Sequence, residues 1–310
     1  MRKILLASTA LVAFGTVAAN AADVTINGTA DWHYFNYDNA SSAANSNGSY
    51  IDQDMDLDFK FTETTDNGLS LTFAVGINEG GSMDDQRLDI AGDFGTLRLS
   101  NVDEGLADQA MDESVADNFT SLSPLMGMHG SDLNANTIMY TLPSMSGLTI
   151  KAHFQDAGVT TKGDSTAFLA EYSADVSGGS VKAQYISTTI DDTGAAGDQS
   201  GEDYTTMALR LNMNDVQLTA SQHNGTENTN TFDVTNNVFD IKYTGIDGIA
   251  ISAFTLSGDD DKNASYDFNQ SAASITYTIA SGLTASLTMT DSEVTSITGV
   301  KSNDDATVLN

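Results

Sequence analysis

The chain has 310 residues, 43 acidic against 12 basic, a formal charge of −31, no Cys and two Pro. That balance excludes nucleic acid as a partner, because phosphate binding rests on Lys and Arg, and the lack of Cys excludes a disulfide framework and a lipid-anchored Cys. Disorder, the plain reading of so acidic a chain, does not fit hydrophobic residues at 40% that alternate along the sequence.

The first 21 residues read as a cleaved signal peptide. Arg2 and Lys3 precede the apolar run 4–18, and Ala19-Asn20-Ala21 supplies small residues at the cleavage positions. The mature chain is then 22–310, a single domain. No later run approaches the roughly 20 apolar residues of a membrane helix, so any crossing is made by strands.

Period-two runs bounded by turn residues then follow in order. A first strand, 24–37, leads through a polar loop into DQDMDLDFKFT, residues 52–62. Here Asp52, Asp54, Asp56 and Asp58 alternate with Met55, Leu57 and Phe59, and Lys60 precedes Phe61. Alternate side chains of a strand point to opposite faces, so this stretch has one apolar and one acidic face. After the Asn67-Gly68 turn come strands at 69–78, 85–91 and 96–101, then a long connection, 102–134. Further strands are predicted at 137–142, 148–155, 166–176, 181–190, 204–212, 216–222, 234–244, 249–257, 272–279 and 283–290. A sixteenth begins at Asp305 and stops at Asn310, short of the about 9–11 residues a tilted spanning strand needs. The last strand therefore reads as truncated.

Tight turns alternate with longer connections rich in Asp, Asn, Gly and Ser, the rhythm of an up-and-down transmembrane β-barrel. A closed soluble barrel would fill its interior with apolar side chains. Here the polar faces are expected to meet around a water-filled lumen while lipid covers the apolar ones. The basic residues Lys60, Arg87, Arg98, Lys151, Lys182, Arg210 and Lys242 all fall on the parity opposite their apolar neighbours. Charge facing lipid is costly, so they are assigned to the pore wall with Asp52, Asp54, Asp56 and Asp58. Trp32, Tyr34, Tyr37 and Tyr204 lie near strand ends, where aromatic girdles sit.

The leader MRKILLASTALVA…ANAADV, the strand–turn–strand LDIAGDFGTLRLSN and the long connection after the fifth strand resemble Gram-negative general porins of the alphaproteobacterial kind. The resemblance implies an all-β, sixteen-stranded antiparallel barrel, usually trimeric, whose third external loop folds inward and narrows the pore. That loop is 102–134, with Asp103, Glu104, Asp108, Asp112, Glu113, Asp117 and Asp132, and its acids are expected to face Lys60, Arg87 and Arg98. The chain departs from the family in ending Val308-Leu309-Asn310 rather than in an aromatic residue.

Competing motifs are weak. Asp52, Asp54, Asp56 and Glu63 match calcium-loop positions, but Leu57 stands where an EF-hand needs Gly. Gly258-Asp259-Asp260-Asp261 and Asn303-Asp304-Asp305 read as solvated charge runs rather than divalent sites. The four His show no metal-ligand spacing, and no catalytic motif occurs. The expected function is passive diffusion of ions and small hydrophilic solutes through an outer-membrane channel, weakly cation-selective. Outer-membrane lipid and two further copies are its partners, with no cofactor and no catalysis. The alternatives are an acidic secreted or surface β protein that binds calcium or cells, and a barrel enzyme.

Overall fold

The computed structural model describes residues 23–39, 48–78, 80–81, 83–101, 105–106, 109–111, 136–156, 163–191, 201–227, 233–260, 267–295 and 301–309. They form sixteen strands: β1 Asp23–Asn39, β2 Gly48–Thr64, β3 Ser70–Asn78, β4 Met83–Gly92, β5 Gly95–Ser100, β6 Asn136–Thr141, β7 Leu148–Asp156 and β8 Ser165–Val176, continuing as β9 Gly179–Ile190, β10 Glu202–Met213, β11 Val216–Glu227, β12 Asp233–Ile246, β13 Ile249–Asp260, β14 Asp267–Ala280, β15 Leu283–Thr295 and β16 Lys301–Leu309. Each pairs antiparallel with its chain neighbours, and β1 closes on β16, giving one barrel.

The turn chemistry that made the rhythm legible also closes the hairpins. In the β4–β5 hairpin Gly92 faces Gly95 across the ladder. Gly95 has φ +108°, and a Cβ there would lie 2.2 Å from the Thr141 carbonyl oxygen, so only glycine fits where β5 meets β6. The Tyr140 hydroxyl donates to the Phe94 carbonyl beside it and ties this turn to the neighbouring strand.

Several boundaries differ from expectation: β11 runs on to Glu227 rather than 222, β14 starts at Asp267 rather than 272, β15 runs on to Thr295 rather than 290, and β2 and β16 both start early. β2 starts at Gly48, four residues early, because its ladder with β1 runs from Thr62–Asp23 to Gly48–Tyr37. β16 starts at Lys301 rather than Asp305, since the polar residues 301–304 pair with 292–295 of β15 and need no apolar alternation to do so. On its other side β16 pairs with residues 34–39 of β1; among the described residues, 23–33 of β1 pair with β2 alone.

The largest correction concerns which face is apolar. On β8–β15 the outward positions nearest the short turns are apolar and exposed, including Tyr172, Leu209, Ile241, Tyr243, Ile275 and Tyr277. This fits a lipid-facing wall. About eight residues above each short turn the pattern changes hands. Outward positions become Thr205, Gln222, Asn237, Thr255, Ser271 and Asp291, and pairs of them hydrogen-bond across the strands: Thr189 to Asp203 (2.7 Å), Gln222 to Asn237 (2.9 Å) and Thr235 to Asn224 (3.0 Å). The inward positions there mix the apolar Ile186, Ile190, Val234, Val238, Leu256 and Phe268 with the polar Thr188, Thr206, Asn236, Gln270 and Ser292, all buried. Tyr204, expected in an aromatic girdle, is one of these inward side chains, buried with its hydroxyl on Glu202. On β8–β15 the single parity assumed for each strand therefore holds only for the lower part. Above that, these strands turn a polar face outward, while buried apolar and polar side chains share their inward face.

Candidate functional site

The lumen wall is asymmetric. On β1 and β2 the inward side chains are open to water: Thr25, Asn27, Thr29, Asp31, Asp52, Asp54, Asp56 and Lys60 are exposed and Asp58 is half-buried. The ladder places Asp52 beside His33, Asp54 beside Asp31, Asp56 beside Thr29, Asp58 beside Asn27 and Lys60 beside Thr25. The four alternating aspartates thus form one column along the wall, with a fifth carboxylate, Asp31, directly across from Asp54. Directly opposed side chains have Cβ atoms about 4.5–5.5 Å apart, so the Asp31–Asp54 pair concentrates negative charge. Asp31 escaped the sequence reading because β1 carries no acidic alternation of its own; the β1–β2 register alone reveals it.

Most of the other basic wall positions have side-chain partners. Arg98 holds Asp89 through two hydrogen bonds, Nε to Oδ1 at 2.7 Å and Nη2 to Oδ2 at 3.0 Å, a geometry suited to a guanidinium. The Arg87 Nε stands 4.0 Å from the same carboxylate. Lys182 forms an ion pair with Glu171 at 2.8 Å, Lys151 donates to the Gln109 side chain, and Arg210 donates to the Thr219 hydroxyl at 3.1 Å. Lys242 lies beside Gln217 and Ser252 in the ladders, two residues from the fully buried Asp240. Asp89 and Glu171 were not among the sequence candidates. Asp89 was accessible in principle, since it and Arg98 stand equidistant from the Gly92–Gly95 turn and so must be cross-strand partners.

After β5 the chain turns onto the inner wall. Leu106 and Ala110 pack with Met139, Ala167, Leu169 and Ile186 in a buried apolar cluster. Two wall side chains hold its main chain through three hydrogen bonds. The Leu106 N–H donates to His153 Nδ1 at 3.0 Å, the Met111 N–H donates to Gln184 Oε1 at 2.8 Å, and Gln184 Nε2 donates to the Gln109 carbonyl at 2.7 Å. Gln184 thereby engages the backbone at two points, as a neighbouring strand would. Below this segment lies a polar niche of about 230 Å³ lined by Gln109, Thr149, Lys151, Glu171, Lys182 and Gln184. An apolar groove of about 560 Å³ runs between Tyr172, Tyr185, Met207 and Leu209 on the outward face, away from the lumen. Asp103, Glu104, Asp108, Asp112, Glu113, Asp117 and Asp132 lie outside the described residues. Among the described residues no cluster of His, Asp or Glu has the arrangement of a metal site.

A water-lined interior with charged walls, closed by a continuous ladder, is the geometry of a transmembrane pore. The fold is shared with solved porins. Over 93% of this chain and 99% of the other, it matches the anion-selective porin of Comamonas acidovorans with a TM-score of 0.67 at 13% identity. A triple mutant of the Rhodopseudomonas blastica porin matches over 93% and 99% with a TM-score of 0.60 at 14% identity. A loop-deletion mutant of OmpT, an outer membrane protein of Vibrio cholerae, covers 91% and 98% with a TM-score of 0.60 at 12% identity. No curated protein sequence matches it. The model of the Gram-negative porins matches residues 7–308, nearly the whole chain, and with the barrel and its charged lumen this makes the chain a member of that family.

Proposed function

We propose that this porin is a passive outer-membrane channel for ions and small hydrophilic solutes with a weak preference for cations. The observation that carries the reading is the exposed column of Asp52, Asp54 and Asp56 with Asp31 beside it, set against basic residues largely engaged by Asp89, Glu171 and Gln109. Exposed carboxylates along a water-filled path raise the local cation concentration. Salt bridges leave Arg98 and Lys182 with little net field at a distance.

The connection 102–134 is the constriction loop in this proposal, and Asp103, Glu104, Asp108, Asp112, Glu113 and Asp117 add to the negative field at the narrowest point. The anchoring of Leu106, Gln109 and Met111 on the inner wall supports an inward course for the start of that connection. Residues 1–21 act as the export signal, and the working form is a trimer, which the family resemblance suggests. The short turns then face the periplasm.

Reconstitution in a planar bilayer across a KCl gradient tests the selectivity. The reversal potential is expected to have the sign of cation preference at low salt and to shrink as salt shortens the Debye length. An anion preference, as in the name of the Comamonas acidovorans porin, would reverse the assignment.

A further inference from the structure

We infer that the lumen wall of β7–β10 carries a binding site for short zwitterionic α-amino acids, built around the Glu171–Lys182 ion pair. The inference deepens the channel reading above and rests on it for the solute's access to that wall.

Two observations converge. The first is space. The polar niche of about 230 Å³ lies against this pair on the side of β7 and the inward-turned segment, with Gln109, Thr149 and Gln184 among its walls. A second cavity of about 310 Å³ lies on the side of the short β8–β9 turn, lined by Ser173, Asp175, Ser180 and Asn212. Glu171 and Lys182 line both, so the ion pair is the partition between them. Their side chains are 21% and 35% exposed, open enough for a solute to touch. Sites for drug-sized ligands run to ~300–1,000 Å³, so an occupant here is small. The lining is mostly polar, with Leu169, Ala174 and Val181 as its apolar members, which suits a short solute without a large apolar side chain.

The second observation is bonding capacity. Lys182 Nζ approaches Glu171 Oε2 at 2.8 Å, and Gln184 Nε2 donates to the same oxygen at 3.2 Å. Among the described residues both contacts end on Oε2, so Oε1 keeps its acceptor capacity, and Lys182 has further N–H donors beyond the one it gives Glu171. A neutral ion pair offers little to a single charge, because attraction to one partner is offset by repulsion from the other beside it. A solute whose two charges stand one carbon apart gains from both. Its ammonium donates to Glu171 Oε1 while its carboxylate accepts from Lys182, two charge-assisted hydrogen bonds with no protein charge left over. The nearest charges are sorted the same way. Asp175 shares β8 with Glu171, and Lys182 stands directly beside Arg210 in the β9–β10 ladder. Lys151, on β7, is engaged by Gln109.

Four solutes of nearly one shape, each with a single methyl group, separate the chemistries: alanine as zwitterion, lactate as anion, alaninamide as cation and lactamide as neutral isomer of alanine. Saturation-transfer NMR would read each methyl against the folded protein in deuterated detergent, at about pH 6 so that every solute carries the stated charge. Alanine is expected to give a saturable signal. Lactate and alaninamide each lack one charge-assisted contact and should bind about tenfold more weakly, with lactamide weaker still. Glu171→Gln combined with Lys182→Gln removes both charges together and should bring alanine down to the level of lactamide, with the heat-resistant fraction on electrophoresis showing that the variant folds. Should it not fold, the four solutes on the wild-type protein decide alone. Lactate or alaninamide binding as tightly as alanine, no saturable alanine signal, or a folded double variant that still binds alanine would overturn the inference while leaving the channel in place. Wild-type vesicles that swell in neither alanine nor lactamide would overturn the channel reading itself, and the inference with it.

Discussion

Replacing Gln184 by Leu should loosen the inward-turned segment without harming the barrel. Leu matches Gln in size but offers neither donor nor acceptor, and Gln184 is only 5% exposed. The change strands the Met111 N–H and the Gln109 carbonyl, now satisfied at 2.8 and 2.7 Å. An unsatisfied buried group costs about 1–3 kcal/mol, so with two of them the docked segment loses about 2–6 kcal/mol. Glu171 loses a 3.2 Å contact from Gln184 but keeps Lys182 at 2.8 Å, so no charge is orphaned. Burial of Leu106 contributes a further ~1.5–3 kcal/mol to docking, and the His153 contact remains. The undocked population should therefore rise about 30- to 20,000-fold, at 1.4 kcal/mol per decade. Two measurements follow this: amide hydrogen exchange at Met111 should accelerate, and single-channel current should become noisier with a lower threshold for voltage closure. Strand ladders are untouched, so heat resistance of the folded barrel should stay as in wild type. Unchanged exchange at Met111 together with a quiet current would refute the role given to Gln184.

Gly95→Ala should lower the yield of folded barrel sharply, because positive φ costs about 1–3 kcal/mol and the Cβ meets the Thr141 oxygen besides; the heat-resistant fraction on electrophoresis measures it. Asp89→Asn should remove the bidentate partner of Arg98, destabilise the barrel by about 1 kcal/mol after allowing for partial exposure, and shift the reversal potential toward anions. Joint replacement of Asp108, Asp112, Glu113 and Asp117 by Asn or Gln should lower the cation/anion permeability ratio in low salt, and an unchanged reversal potential would remove the connection 102–134 from the selectivity mechanism.

Much of the architecture was legible because β structure is locally coded. Period-two alternation and turn residues gave the strands, and the alternation of short and long connections gave the up-and-down topology. The basic residues could be assigned to the lumen in the lower strand halves because one face there must meet lipid. The Asp89–Arg98 pair was also within reach, being symmetric about the turn in LDIAGDFGTLRLSN. Other site features join distant parts of the chain. The contact from Leu106 to His153 spans 47 positions, and that from Met111 to Gln184 spans 73. No periodicity encodes either one.

β12 marks the boundary between the two kinds of information. Up to residue 243 its apolar residues are Val234 and Val238 at even positions, then Phe239, Ile241 and Tyr243 in odd register. That switch is written in the sequence. Alone it reads as a bulge, a slip or noise, because alternation states which residues share a face and not what that face meets. By itself the sequence determined the strands, their order and the two faces of each. Only the closed barrel decided that the lower apolar face of β12 looks outward and its upper apolar face looks into a shielded interior. The same closure sets Asp31 against Asp54 on a wall that stays open to water. Burial is a property of what lies on the far side of a sheet, and strands far apart in the chain supply that far side.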